Sequence, residues 1–280
     1  MELLHSLILG FVQGLTEFLP VSSSGHLVIF SALYKFFTHK EMAAATSEEV
    51  FLDIILHLGT LIAVLFYFRK DVIAILKGIF GAVKTKDFSQ KESKLGLFLI
   101  LGTFFTLLVA YPLKDFSEKL ISSPMIVCGL LLITATVILL SEIIGAKLQK
   151  RTELNWKQAI LIGIAQGIAA FPGVSRSGMT ISTGLFCGLN RVESARFSFL
   201  LSILIIAGTS IFYPVLEIDF SVLKEFNWSA IAGGFVVSMV SGYLCIKYFM
   251  QFLNKYSMKI FAYYCYFVGI LGFAFFFLIK

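Results

Sequence analysis

Apolar runs close to membrane-spanning length recur along this chain, and they fix its solvent before any other feature is weighed. Leu95 to Val109, Ile126 to Leu140, Ala230 to Tyr248 and Ile260 to Ile279 approach or reach the roughly 20 residues that cross a ~30 Å hydrocarbon layer. A buried soluble helix explains one such run but not a series. Composition agrees: 58% of residues are hydrophobic and 14% charged, against about 25% charged in an ordinary soluble domain. The expected product is an all-α polytopic membrane protein, a single membrane domain over residues 1–280. The bilayer is its first partner.

The amino terminus turns apolar at once, with Glu2 and His5 in place of a basic stretch and no small-residue cleavage site after it, so it reads as mature structure. The four cysteines, Cys128, Cys187, Cys245 and Cys265, lie far apart in apolar stretches. Their spacing suits neither a metal nor a redox pair, which leaves packing. A net charge of +6 invites a nucleic-acid reading, but the basic residues sit mostly in short connections, where the positive-inside rule accounts for them. No nucleic acid is expected as a partner.

Sliding the chain so that Gly10 falls on Gly163 exposes an internal repeat: Gln13-Gly14 meets Gln166-Gly167, and Phe18, Val21, Ser22, Ser24 and Gly25 meet Phe171, Val174, Ser175, Ser177 and Gly178. Residues 1–150 and 151–280 are thus two copies of one unit. Each copy opens with an apolar stretch, a break and a second stretch: Leu4 to Phe18, Pro20 to Gly25, His26 to Phe37, and then Trp156 to Ala170, Phe171 to Gly178, Met179 to Leu189. About 15 residues at 1.5 Å each span only ~22 Å, so the first stretch should stop near mid-membrane and turn back. Non-helical backbone at that depth is tolerated only inside protein or beside a water-filled cavity.

Hydropathy places crossings near 50–68, 95–112, 124–145, 195–216, 228–250 and 258–279. A re-entrant hairpin plus three crossings reverses side, so the halves should be inverted, with their broken helices meeting near the midplane. Under that layout one face receives most of the basic residues, from Arg69 and Lys70 to Lys255 and Lys259. The other receives only Lys35, Lys40, Lys114, Lys119, Lys224 and Lys280. The richer face is then cytoplasmic, and the first hairpin opens outward from the cell membrane.

The copies are most informative where they differ: Glu17 stands against Ala170, His26 against Met179, and Arg176 against Ser23. Ionisable groups at membrane depth cost several kcal/mol by insertion scales, roughly 2.5–3.5 at a helix centre, and are functional candidates by default. Gln13 and Glu17 are four apart and share a helical face. Ser22 is a candidate N-cap for the returning helix, and helix N-termini bind phosphate through free N–H groups and the dipole. Ser22, Ser24 and Gly25 form one such terminus, and Ser175, Ser177 and Gly178 a second. Arg176 adds a planar fork matched to phosphate oxygens. The set fits a site for an anionic phosphate group.

Gln13-Gly-Leu-Thr-Glu17-Phe-Leu-Pro-Val-Ser-Ser-Ser-Gly-His26 and Pro172-Gly-Val-Ser-Arg-Ser-Gly178 resemble the two signatures of the undecaprenyl-diphosphate phosphatase, or bacitracin-resistance protein, family. The similarity runs the full length, through Leu56-His-Leu-Gly-Thr60 and Ser198-Phe-Leu-Leu-Ser202. The resemblance implies hydrolysis of the terminal phosphate of undecaprenyl diphosphate, recycling the lipid carrier for peptidoglycan synthesis and conferring resistance to bacitracin, with dependence on a divalent cation, Mg2+ or Ca2+. Carried over by position, Glu17, Ser23, His26 and Arg176 match the family's catalytic residues. Many members have Glu where this chain has Gln13, yet an amide oxygen still suits such a cation, so Gln13 and Glu17 are the metal candidates. Ser23 is favoured as nucleophile, activated by His26, with His26 itself and water as the alternatives.

Plainer readings stand beside these. Gln13 and Gln166 could be interhelical glue, the serines simple caps, and Glu17 with Arg176 a structural ion pair. His57 reads as an interhelical donor in preference to a residue behind the site, and His5 and His39 as solvated surface. The C-terminal phenylalanines read as lipid-facing bulk. The rival function is a transporter or flippase for a phosphate-bearing lipid, which would use the same arginine and helix ends. A nucleophile and a proton acceptor side by side favour the enzyme. A second copy of the chain, in a homo-oligomer, is a further candidate partner.

Overall fold

The computed structural model describes residues 2–38, 47–121, 123–148, 153–217 and 226–278, without the side chains of 118, 121 and 212–217. His39, Lys40, Lys150, Arg151, Lys224 and Lys280 from the charge and histidine readings lie outside the described residues. All regular structure among them is helical. The first hairpin is α1 (Leu3–Thr16) and α2 (Ser23–Phe37), followed by α3 (Ser47–Tyr67), α4 (Arg69–Thr85), α5 (Lys91–Ala110), α6 (Lys114–Ile121) and α7 (Pro124–Gly145). The second half is α8 (Trp156–Ile168), α9 (Arg176–Phe186), α10 (Arg191–Glu217), α11 (Trp228–Leu253) and α12 (Lys259–Leu278).

Six helices among the described residues are long and apolar enough to cross a membrane: α3, α5, α7, α10, α11 and α12. They coincide with the six expected crossings, and the chain is a multi-pass membrane protein. The hairpin helices are shorter. Helix α1 has 14 residues, about 21 Å of rise, and ends just before Glu17 and Pro20.

Both breaks are tighter than expected. Helix resumes at Ser23, not His26, because the Ser22 hydroxyl accepts from the Gly25 N–H at 3.2 Å. The second resumes at Arg176, not Met179, because the Ser175 hydroxyl accepts from Gly178 N–H at 3.0 Å. Ser23, Ser24, Arg176 and Ser177 are therefore first-turn helical residues. A helix start leaves its first N–H groups without intrahelical partners.

The hairpins are seated by backbone contact across the halves. Gly10 of α1 lies on the backbone of Gly234 in α11, and Gly163 of α8 lies on that of Gly102 in α5. Any Cβ at Gly10 or Gly163 would run into the facing carbonyl. Small residues permit this approach, and hydroxyls then bridge it: Ser6 donates to the Ala230 carbonyl at 2.6 Å and Thr106 to the Gly163 carbonyl at 3.0 Å. Helices α7 and α12 pack along one another, as do α3 and α10. Phe18 and Phe199, both fully buried, meet edge to face at 5.3 Å beneath the first turn.

One element went unread in the sequence. Helix α4 places Lys70, Lys77 and Lys84 seven residues apart on one stripe, beside exposed Ile73, Leu76, Phe80 and Val83. It is too charged to span, and has the composition of a helix lying in the membrane interface. Glu142 is a second feature that the sequence pattern does not signal. It is 3% exposed, receives Arg191 through two bonds at 2.9 and 2.5 Å and the Met258 N–H at 2.8 Å, and so ties α7, α10 and α12 together.

Candidate active site

The tips of the two hairpins interlock. Ser177 donates to the Leu19 carbonyl at 2.8 Å, and Gly25 sits so close to Gly173 that a Cβ would meet its Cα at 3.0 Å. Gly173 has φ +95°, open to glycine at no steric cost. The turn is held from α7 by Thr134, which donates to the Gly173 carbonyl at 3.1 Å and accepts from the Ser175 N–H at 3.0 Å. The first turn is bent differently: Ser22 has φ 70°, whereas its counterpart Ser175 has φ −74°.

Glu17, 6% exposed, is the hub. Its Oε2 accepts from Ser23 Oγ at 2.6 Å and from Gln13 Nε2 at 2.9 Å, and its Oε1 accepts from Arg176 Nη2 of the opposite hairpin. The two copies thus meet as a carboxylate and a guanidinium, with a serine hydroxyl on the carboxylate. Two buried atoms beside this pair have no hydrogen-bond partner: Gln13 Oε1 and Arg176 Nη1. One is an acceptor, suited to a cation, and the other a donor, suited to an anion. Gln166 Oε1 is likewise unpartnered, but its amide donates to Thr106 of α5 at 3.1 Å. It is the interhelical glue that the sequence allowed.

His26 does not join Ser23, contrary to the expected serine–histidine pairing. Its Nδ1 lies 2.7 Å from the Ser22 carbonyl and its Nε2 2.8 Å from the Tyr264 hydroxyl. The i, i+4 carbonyl lies within reach of a ring on its own helix, and α12 occupies the other side. His57 departs from expectation as well: its Nδ1 bonds within α3, to the Asp53 carbonyl at 2.8 Å, and its Nε2 faces Glu17 Oε2 at 3.7 Å. It stands behind the carboxylate. His5 is half-buried and stacks on Tyr34 at 4.2 Å between centroids, so solvated surface is the wrong description for it.

Among the expected phosphate ligands, Ser22, Ser175 and Ser177 are committed to the capping and tip contacts given above. Ser24 is exposed, 3.4 Å from Ser22 Oγ. Gly25 and Gly178 close the two first turns. Asp53 and Tyr264 join the neighbourhood unannounced. The first carried a usable signal, an acidic residue inside an apolar run, while Tyr264 sits among aromatic residues that look alike in sequence. Among the described residues no cluster of three or more His, Cys, Asp or Glu could hold a metal. Gln13 Oε1 with the Glu17 carboxylate nevertheless offers the hard oxygens that Mg2+ and Ca2+ take, and the unpartnered amide oxygen fits such a ligand.

Fold and site together define a polytopic membrane protein in which two short helical hairpins bring a serine–carboxylate pair against an arginine. The chain belongs to the bacitracin resistance protein BacA family, whose family model matches residues 6–271. It is 37% identical over 281 residues to a protein of Methanosphaera stadtmanae named undecaprenyl-diphosphatase, covering 97% of each chain. A Rubrobacter xylanophilus protein of the same name is 39% identical over 273 residues and 94% of each chain. One from Korarchaeum cryptofilum is 37% identical over 274 residues, covering 96% of this chain and 98% of its own.

Proposed function

We propose that the protein hydrolyses undecaprenyl diphosphate to undecaprenyl phosphate and inorganic phosphate. It thereby returns the lipid carrier to cell-wall synthesis and confers resistance to bacitracin. The observation that carries this reading is the hydroxyl of Ser23 donating to a buried carboxylate whose other oxygen holds an arginine from the opposite repeat. A binding site for an anionic lipid needs the arginine but not a hydroxyl poised on a proton acceptor, so the carrier reading explains less.

In this reading the terminal phosphate takes the unpartnered Nη1 of Arg176 and draws the guanidinium from Glu17. Ser23 Oγ then attacks the terminal phosphorus, its proton passes to Glu17 Oε2, and the bond from phosphorus to the bridging oxygen breaks. Undecaprenyl phosphate leaves, and water later cleaves the phosphoserine. Phosphoryl transfer needs little more than such positioning and charge neutralisation. A Mg2+ or Ca2+ held by Gln13 Oε1 and Glu17 would supply further neutralisation of the diphosphate. The N-terminal turns of α2 and α9 add donors and dipole.

We further propose that the halves are inverted repeats and that the site opens on the extracytoplasmic side of the cell membrane. The matched seating of α1 on α11 and α8 on α5 and the skew of basic residues support this.

The test is single-turnover reaction of purified protein with undecaprenyl diphosphate labelled in its terminal phosphate, quenched and mapped. Label on Ser23, and none on the Ser23→Ala protein, is expected. Label on His26, or phosphate release without any labelled protein, contradicts the nucleophile assignment.

A further inference from the structure

Tyr264 lies outside both signature segments, yet it completes the bonding of the His26 ring. The Ser22 carbonyl can only accept, so the ring proton is on Nδ1. In the neutral ring Nε2 is then the lone-pair nitrogen, and the Tyr264 hydroxyl, 2.8 Å away, is placed to donate to it. The two rings lie parallel, 6° apart in plane and 5.6 Å between centroids. His26 is 2% exposed, so these two partners, one on its own helix and one on α12, decide its tautomer and direction.

The second repeat provides an internal control. Cys265 of α12 donates to the Pro20 carbonyl at 3.7 Å, as Thr134 of α7 donates to the carbonyl of Gly173, and Pro20 and Gly173 are matched positions in the repeat. The residue before Cys265 is Tyr264, and the residue before Thr134 is Ile133. Where the first hairpin carries His26 the second carries Met179. The phenol is present on the side that has an imidazole and absent on the side that has none, so its place is tied to the ring and not to the general packing of hairpin against helix.

We propose that Tyr264 is a positioning residue for the diphosphatase reaction, holding His26 in the Nδ1–H tautomer with Nε2 turned to α12 and away from Ser23. The proton of Ser23 is thereby left to Glu17, and the Ser22 carbonyl, which shapes the turn before Ser23, keeps its partner. Without the phenol Nε2 loses its donor, the direction of the ring is no longer fixed, and the turn before Ser23 is held less firmly. Arg176 is untouched by this change, so phosphate binding is preserved.

This inference rests on the diphosphatase reading, and the test separates the two. In Tyr264→Phe, kcat should fall on the order of tenfold, the scale of losing a hydrogen-bond partner that orients an imidazole beside the reacting groups, with KM unchanged. In 15N-histidine-labelled protein, the wild-type Nε2 signal of His26 should show a hydrogen-bonded lone pair, and Tyr264→Phe should move it to the unbonded position while Nδ1 stays protonated. Wild-type kcat in Tyr264→Phe, a change in KM alone, or an Nε2 signal indifferent to the substitution overturns the proposal. A wild-type protein that releases no phosphate would instead sink the diphosphatase reading, and the nitrogen signal would still decide whether Tyr264 holds the ring.

Discussion

Glu17 is asked to do three things at once: hold Arg176, hold Ser23 and stay buried. Removing one partner of a buried ion pair strands the other at a cost of about 3–5 kcal/mol, so Glu17→Ala confuses stability with chemistry. Glu17→Gln keeps the size of the side chain and one acceptor oxygen, for Arg176 or for Ser23 but not for both, and has no carboxylate to take a proton. Its kcat should fall by about 10²–10⁴-fold, with a smaller loss in the thermal transition than Glu17→Ala shows. Arg176→Lys keeps the charge and loses the planar fork, and the loss of a charge-stabilising donor should cost about 10²-fold or more in kcat. Ser22 is a separate matter, since its φ of 70° suits glycine and punishes a β-branched residue. Ser22→Val should therefore destabilise by about 1–3 kcal/mol in a denaturation series, and Ser22→Gly by less. The hub residues were legible in the sequence because a carboxylate and a guanidinium in apolar surroundings have few other reasons to be there. The partners of His26 were not: Tyr264 is far from it along the chain, and only the packing of α12 beside the first turn brings the two together.

The broken helices were legible as elements for the same kind of reason. Pro20, Pro172 and Gly173 interrupt stretches too short to cross, and each interruption is followed by a serine that can cap. The placement of the break was less legible. A cap side chain draws the helix start back towards itself, and Ser22 and Ser175 pull Ser23 and Arg176 into first turns. Helix α4 escaped because Lys70, Lys77 and Lys84 lower the mean hydropathy of a segment whose apolar residues still share a face. The seating of α1 and α8 makes the firmest demand on side-chain size. In Gly163→Val, with the Gly102 carbonyl in the way, overpacking should cost about 1–3 kcal/mol or more. A lowered thermal transition in detergent, with the Arg176-bearing tip displaced and activity reduced, would show it; an unchanged transition would contradict the close seating of α8 on α5.

At the scale of the molecule, two hairpin tips of similar sequence are complementary, one bearing the carboxylate and the serine, the other the arginine. Inversion is what would bring both to a common depth from opposite faces. Reporters fused near Asp87 and in the connection before Trp228 should report opposite sides of the membrane, and the same side for both would refute the inverted layout. The central claim is that the meeting of the tips performs hydrolysis and not merely binding. It is tested most directly by phosphate release from undecaprenyl diphosphate by the purified protein, measured alongside substrate binding for the parent, Glu17→Gln and Arg176→Lys. Release by the parent, with folded variants that release little or none, is the expected result. Tight binding of the lipid diphosphate by a parent protein that never turns it over would contradict the account.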